Sequence, residues 1–190
     1  GGEALQPERV EPLTNAIIEG MLGTVRSDDH DALTTRALWA TLAQTGFRKA
    51  EVSLGAGDSF SSGSLSRHSL RWRIGGVDVA DPTPEQLRNL KEGDYAILIP
   101  PRSKCDQYGL EWGQSPIFLR FHPAGKARIN AARELCALEL AKPLHGREQR
   151  EGTALFTYAD GTPLRSTASA SASALSRHAS ASAGALVGDG

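Results

Sequence analysis

Residues 95–121 read YAILIPPRSKCDQYGLEWGQSPIFLRF. Two short apolar runs, YAILIP (95–100) and PIFLRF (116–121), flank a polar stretch rich in Pro, Gly and charge. Runs of that length bounded by turn residues read as strands, and the pair reads as a hairpin with a long tip. Upstream, LRWRI (70–74) alternates apolar and basic residues, as a half-exposed strand does. Helical patterns precede these three strands and another follows them. That order predicts an α+β fold, a mainly helical domain with a small three-stranded antiparallel sheet, rather than a parallel βαβ fold.

The helical patterns come from spacing. In PLTNAIIEGML, Ile17, Ile18, Met21 and Leu22 form one stripe, with Thr14 as N-cap and Gly23 as the stop. A second helix runs from about Asp31 to Thr45, with Leu33, Ala37, Leu38, Thr41 and Leu42 on its apolar face and Gly46 at its end. RKAEVSL (48–54) predicts a short third helix before the Gly/Ser loop at 55–66. Asp81-Pro82-Thr83-Pro84 opens a brief helix over EQLRNLKEG, stopped by Gly93. Ala124 to Lys142 reads as a helix with Ile129, Ala132, Leu135, Cys136, Leu138 and Leu140 as its apolar residues, and ALFTYADGTPL (154–164) as an extended piece with a turn.

Composition bounds the rest. The 190 residues carry 39% apolar and 23% charged residues, and 20 Gly with 10 Pro imply plentiful loops. No apolar run approaches the roughly 20 residues that span a bilayer, and no secretory signal is visible, so the expected location is intracellular (the nucleus in a eukaryote). The two cysteines, Cys105 and Cys136, cannot by themselves make a disulfide scaffold or a four-ligand zinc site. The net charge of −1 makes no whole-chain case for nucleic acid, but it is unevenly spread. Residues 1–34 hold seven acids and two arginines, whereas 95–150 hold nine bases and five acids. From Thr167 the chain is largely Ala, Ser and Gly, with too little apolar area to offset ordering. Residues 167–190 are therefore expected to be a disordered tail, and 10–166 the folded part.

Two stretches carry chemistry. In TLAQTGFRKAEVSL (41–54) a helix ends at Gly46, so Arg48 sits in the first turn of the next. A guanidinium beside a helix N-terminus favours anions, and Glu51, one turn on, can brace it. By spacing alone the pair reads first as an ordinary surface ion pair. Lys104, at the hairpin tip, can act as a mobile general acid or be a solvated turn lysine. Trp39, Trp72 and Trp112 are expected to pack the core or line its edge.

Together these stretches resemble a known family. Thr45-Gly46-Phe47-Arg48-Lys49-Ala50-Glu51-Val52 resembles the TG-hydrophobic-R-x-x-E-hydrophobic signature of the tyrosine recombinase (phage integrase) family. SKCDQYG (103–109) is similar to that family's SK-x-D-x-x-G hairpin, and LFTYADGTPL (155–164) to its LF-x-x-x-x-G-x-P-L segment. The resemblance implies DNA recombination or integration through a 3′-phosphotyrosyl intermediate, with no cofactor or metal. It implies duplex DNA as the partner and a homo-oligomer assembled on it. It makes Arg48 a clamp on the scissile phosphate, Lys104 the acid for the departing 5′ oxygen, and Glu51 the support of the arginine helix. Arg102 and Arg120 would be phosphate contacts.

The family pattern also requires H-x-x-R, then His or Trp, then the nucleophilic Tyr, after the LF segment. None stands there, and no Tyr follows Tyr158. His68-Ser69-Leu70-Arg71 precedes the lysine, and composition alone yields about 0.4 such matches by chance. The sequence therefore reads as a catalytic domain without its C-terminal half, inactive alone. The alternative is a non-catalytic DNA-binding or interaction remnant of that fold.

Overall fold

The computed structural model describes residues 29–46, 59–61, 64–100, 115–124 and 129–165. The proposed helices at 14–22 and 48–54, the hairpin tip and the Ala/Ser tail lie outside them. Helix α1 (His30–Thr45) begins where the Asp29 carboxylate accepts the Asp31 N–H at 3.2 Å. It ends at Gly46, whose φ of 70° turns the chain out while its N–H bonds Leu42 O. The expected apolar face is too narrow. Ala37, Leu38 and Thr41 are buried, but so are Ala32, Thr34, Thr35, Trp39 and Ala40, so α1 is covered on most sides.

Four strands form one antiparallel sheet in the order β2-β1-β3-β4: β1 (Leu70–Ile74), β2 (Val77–Val79), β3 (Tyr95–Leu98) and β4 (Ile117–Arg120). The expected count of three is corrected by β2. Gly75 and Gly76, at φ of 59° and 80°, make the two-residue turn that returns the chain along β1 and pairs Trp72 with Val79. The hairpin expected from YAILIP and PIFLRF is present, with Tyr95 opposite Arg120 and Leu98 opposite Ile117. Buried Asp94 ties the turn down, accepting N–H bonds from Gly75 and Lys91 at 3.0 Å each.

Alternation sends Leu70, Trp72, Ala96, Leu98 and Leu119 inward, where they form one core with Ala37 and Leu38 of α1 and Leu135 and Leu138 of α3 (Ala131–Ala141). Helix α2 (Pro84–Arg88) is shorter than expected: Thr83 opens it in a reciprocal capping box with Gln86, and it ends at Asn89, before Gly93. Helix α3 is also shorter than its expected 124–142 span, beginning where Asn130 accepts the Arg133 N–H. Helix α4 (Arg147–Glu151) was not expected and packs on a 3-10 turn at Arg67–Ser69. The 154–164 piece has the expected turn, at residues 159–160, and forms no strand, only isolated bridges from Ser66 to Ala154 and from Thr157 to Pro163. Trp72 and Trp39 are buried as expected. Among the described residues no helix is long and apolar enough to cross a membrane.

Candidate functional site

Of the residues singled out in the sequence, Arg120 is described; Arg48, Glu51, Arg102 and Lys104 lie outside the described residues. The structure gives the elements on either side of them. Helix α1 stops at Gly46, two residues before Arg48. Strands β3 and β4 pair directly, so the connection holding Arg102 and Lys104 leaves after Leu98 and returns at Ile117. Arg120 is exposed at the end of β4.

Sequence reasoning missed a buried ionic cluster. The Glu139 carboxylate accepts from Arg67 Nη1 at 3.1 Å and from Arg150 Nη2 and Nη1 at 2.9 and 3.0 Å. All three side chains are buried. Arg150 also donates to the carbonyls of Leu144, Arg67 and Leu70, so it joins α4, the 3-10 turn and β1. Arg67 Nη1 reaches Lys142 O at 3.1 Å, while its Nε and Nη2 have no hydrogen-bond partner among the described residues. Burial draws Arg67 below the ordinary guanidinium range, and Glu139 opposes that shift. Two guanidiniums on one carboxylate make a structural fastener; every group that Arg150 grips belongs to the chain itself.

The second cluster lies at the edge of the first. His68 Nε2 is 3.5 Å from Arg71 Nη2 and 3.7 Å from Glu151 Oε1. The H-x-x-R that the sequence reading treats as a chance match therefore forms a local contact. Burial, and next the Arg71 cation, hold His68 below its usual pKa. Arg147 pairs with Glu151 at 2.7 Å.

The outer sheet face is the third arrangement. Register places Arg71, Ile97 and Phe118 in one row across β1, β3 and β4, and Arg73, Tyr95 and Arg120 in the next. Arg73 bonds Asp78 through Nε at 2.7 Å and Nη2 at 3.3 Å, and its guanidinium carbon lies 5.0 Å from the centre of the Phe118 ring. Tyr95 meets that ring edge-on at 6.1 Å. The hydrogen bond from Arg73 holds Asp78 below the usual carboxylate range.

A scan of protein-family models, a search of curated proteins and a search of solved structures each find no match to this chain.

The chemistry therefore rests on the residues themselves. Among the described residues no group of three or more His, Cys, Asp and Glu could hold a metal ion. Cys136 donates to Leu87 O at 3.3 Å, and burial pushes its thiol up to about 12, so it is no nucleophile at neutral pH. Tyr158 is half-buried against the core, and its backbone N–H is held by Thr162 O at 2.8 Å. Arginines are the groups this surface presents in number, and arginines bind oxoanions.

Proposed function

We propose that this chain carries part of a DNA strand transferase of the tyrosine-recombinase kind and works on duplex DNA. The observation that supports it most is the antiparallel pairing of β3 with β4, which gives the SK-x-D-x-x-G stretch the hairpin setting its chemistry needs. A lysine on such a connection can reach a departing 5′ oxygen and protonate it. The end of α1 at Gly46 adds to this, because Arg48 then follows a helix stop, as the arginine signature requires. In this reading Arg48 stabilises charge on the non-bridging oxygens as the phosphate becomes five-coordinate, and Glu51 orients the helix that carries it. The nucleophile and the second arginine are not among these 190 residues: no H-x-x-R and no Tyr follow Leu164. Losing one electrostatic stabiliser costs about 10²–10³ in rate, and losing the nucleophile removes the covalent route.

A second reading, a DNA-binding remnant without catalysis, is favoured by Tyr158 itself, the last tyrosine of the chain, which packs against the core rather than standing free. Both readings require DNA binding. The 190-residue chain should bind duplex DNA in a salt-sensitive, sequence-tolerant way, more weakly after Arg48→Ala or Lys104→Ala. With nicked suicide substrates it should give no adduct that survives denaturant. Failure to bind any duplex at low salt would sink the proposal. An adduct abolished by Tyr158→Phe or Tyr108→Phe would make this chain a complete enzyme with a reassigned nucleophile.

A further inference from the structure

The outer face of the sheet is built unlike the inner one. Its side chains, taken in register, are Arg71, Arg73, Tyr95, Ile97, Phe118 and Arg120, with Asp78 opposite Arg73. Asp78 is the only acid in the four strands, against three arginines. Phe118 is 46% exposed, a large apolar ring left in water on a strand whose neighbouring inward residue, Leu119, is 3% exposed. Ile97, beside it in the same row, is only 4% exposed, so the row is covered at β3 and open at Phe118.

Arg73 lies on β1 and Phe118 on β4, with β3 between them, so the cation–ring contact crosses the middle strand. The ring and Asp78 together fix the Arg73 guanidinium against the sheet, where it loses little further freedom on meeting a ligand. Arg120 stands in the same row as Arg73, two strands away, which at about 4.8 Å per strand puts their backbones about 10 Å apart. Arg71 lies two residues along β1, about 6.6 Å from Arg73. The result is a sheet face with three arginines and one acid, on which Tyr95 and Phe118 lie between Arg73 and Arg120.

We propose that this face, through Arg71, Arg73 and Arg120, binds the sugar–phosphate backbone of duplex DNA as a contact surface additional to Arg48 and Lys104. The inference rests on the DNA-binding reading above and adds the surface that holds the duplex. Guanidiniums repeated along and across the strands suit a repeating phosphate chain. A duplex presents its phosphates at regular spacing on a stiff rod, whereas an acidic peptide offers carboxylates on a flexible chain that must be ordered on binding.

The test is duplex binding by the full chain, measured by fluorescence anisotropy across a salt series. Arg73→Gln with Arg120→Gln removes two contacts and should lower the slope of log affinity against log salt by about 1.8, equally for unrelated sequences. Asp78→Asn should act in the opposite direction: it removes the competing negative charge, while the amide oxygen still accepts from Arg73 Nε and the Phe118 ring still restrains the guanidinium, so binding should tighten, a gain that a misfolded variant cannot produce. Melting curves on each variant check folding. If the wild-type chain binds DNA but neither variant shifts affinity or slope, this face is excluded and the DNA reading stands. If the wild-type chain binds no duplex, both fall. If poly-glutamate competes as well as DNA, and the double variant weakens both equally, the surface is a generic anion binder and the proposal is overturned.

Discussion

Glu139 neutralises half of the buried positive charge it faces, and that imbalance ranks three substitutions. Removing the carboxylate leaves Arg67 and Arg150 buried side by side without a counter-charge, which typically costs about 3–5 kcal/mol. Glu139→Ala should therefore bring the chain to the edge of unfolding in urea. Arg150→Met should cost a similar amount, because the carbonyls of Leu144, Arg67 and Leu70 all lose a donor. Arg67→Met should cost clearly less than either, since it preserves the Glu139–Arg150 pair and removes two nitrogens that have no partner among the described residues. Urea midpoints for the three variants give the order directly. His68 adds a pH term. Its pKa is held below 6.5, chiefly by burial and then by Arg71, so on acidification the unfolded chain takes up the proton first. The site's contribution is constant above 6.5 and is withdrawn as pH falls through 6.5 towards the folded value. His68→Gln should flatten that part of the stability profile and leave the alkaline side unchanged, as read from urea midpoints across the range.

Each element owes its limits to a local device. Gly46 closes α1 at a φ of 70°, and among the described residues, its chain neighbours aside, no heavy atom lies within 4 Å of where a Cβ would stand. The obstacle to Gly46→Ala is the left-handed backbone, at about 1–2 kcal/mol. The variant should lose that much in urea and fray α1 from Thr45 inward, visible in backbone amide shifts. Cap and strand devices also decide what could be read in advance. Strands β1, β3 and β4 were legible because alternation or a continuous apolar run is itself the consequence of facing a core. Strand β2 was not, because VDV has three residues and becomes a strand only through the turn at Gly75-Gly76. Helix α4 was not either: REQRE has no apolar stripe at all, and what holds it is one buried arginine. For α1 the opposite error arises. Its small residues, Ala32, Ala37 and Ala40, permit close approach on several sides, which a stripe drawn through its leucines does not reveal.

At the scale of the molecule, charge along the chain and charge in space part company. The excess of bases over 95–150 suggests a basic surface, yet Arg150 and Glu139 from that stretch are interior and neutralise one another in part. Arg71 and Arg73, which form the outer sheet face with Arg120, come from outside it. The motif residues Arg48 and Lys104 could be singled out because their neighbours in sequence define them, whereas the Arg67–Glu139–Arg150 cluster ties the 3-10 turn to two helices, at residues 72 and 83 positions later, and leaves no local pattern. The same cluster sets how stability is distributed. Strands β1 and β3 are bonded on both sides, and α1 and α3 lie in the common core, so their amides should exchange only when the whole domain opens. Helices α2 and α4 are both five residues long. On length and polarity α4 should be the weaker, since α2 has a capping box and buries Leu87. Arg150 reverses that expectation, because α4 cannot lift without breaking its bonds to Glu139, Arg67 O and Leu70 O. The diagnostic amides are Gly152, which bonds Glu148 O at 3.0 Å, and Asn89, which bonds Glu85 O at 3.1 Å. Native-state hydrogen exchange should show Gly152 better protected than Asn89 and close to the slow amides of β1. In the Arg150→Met variant that order should invert while β1 keeps its rank. Equal, fast exchange at both positions in the wild-type chain would mean that the buried arginine does not couple α4 to the sheet.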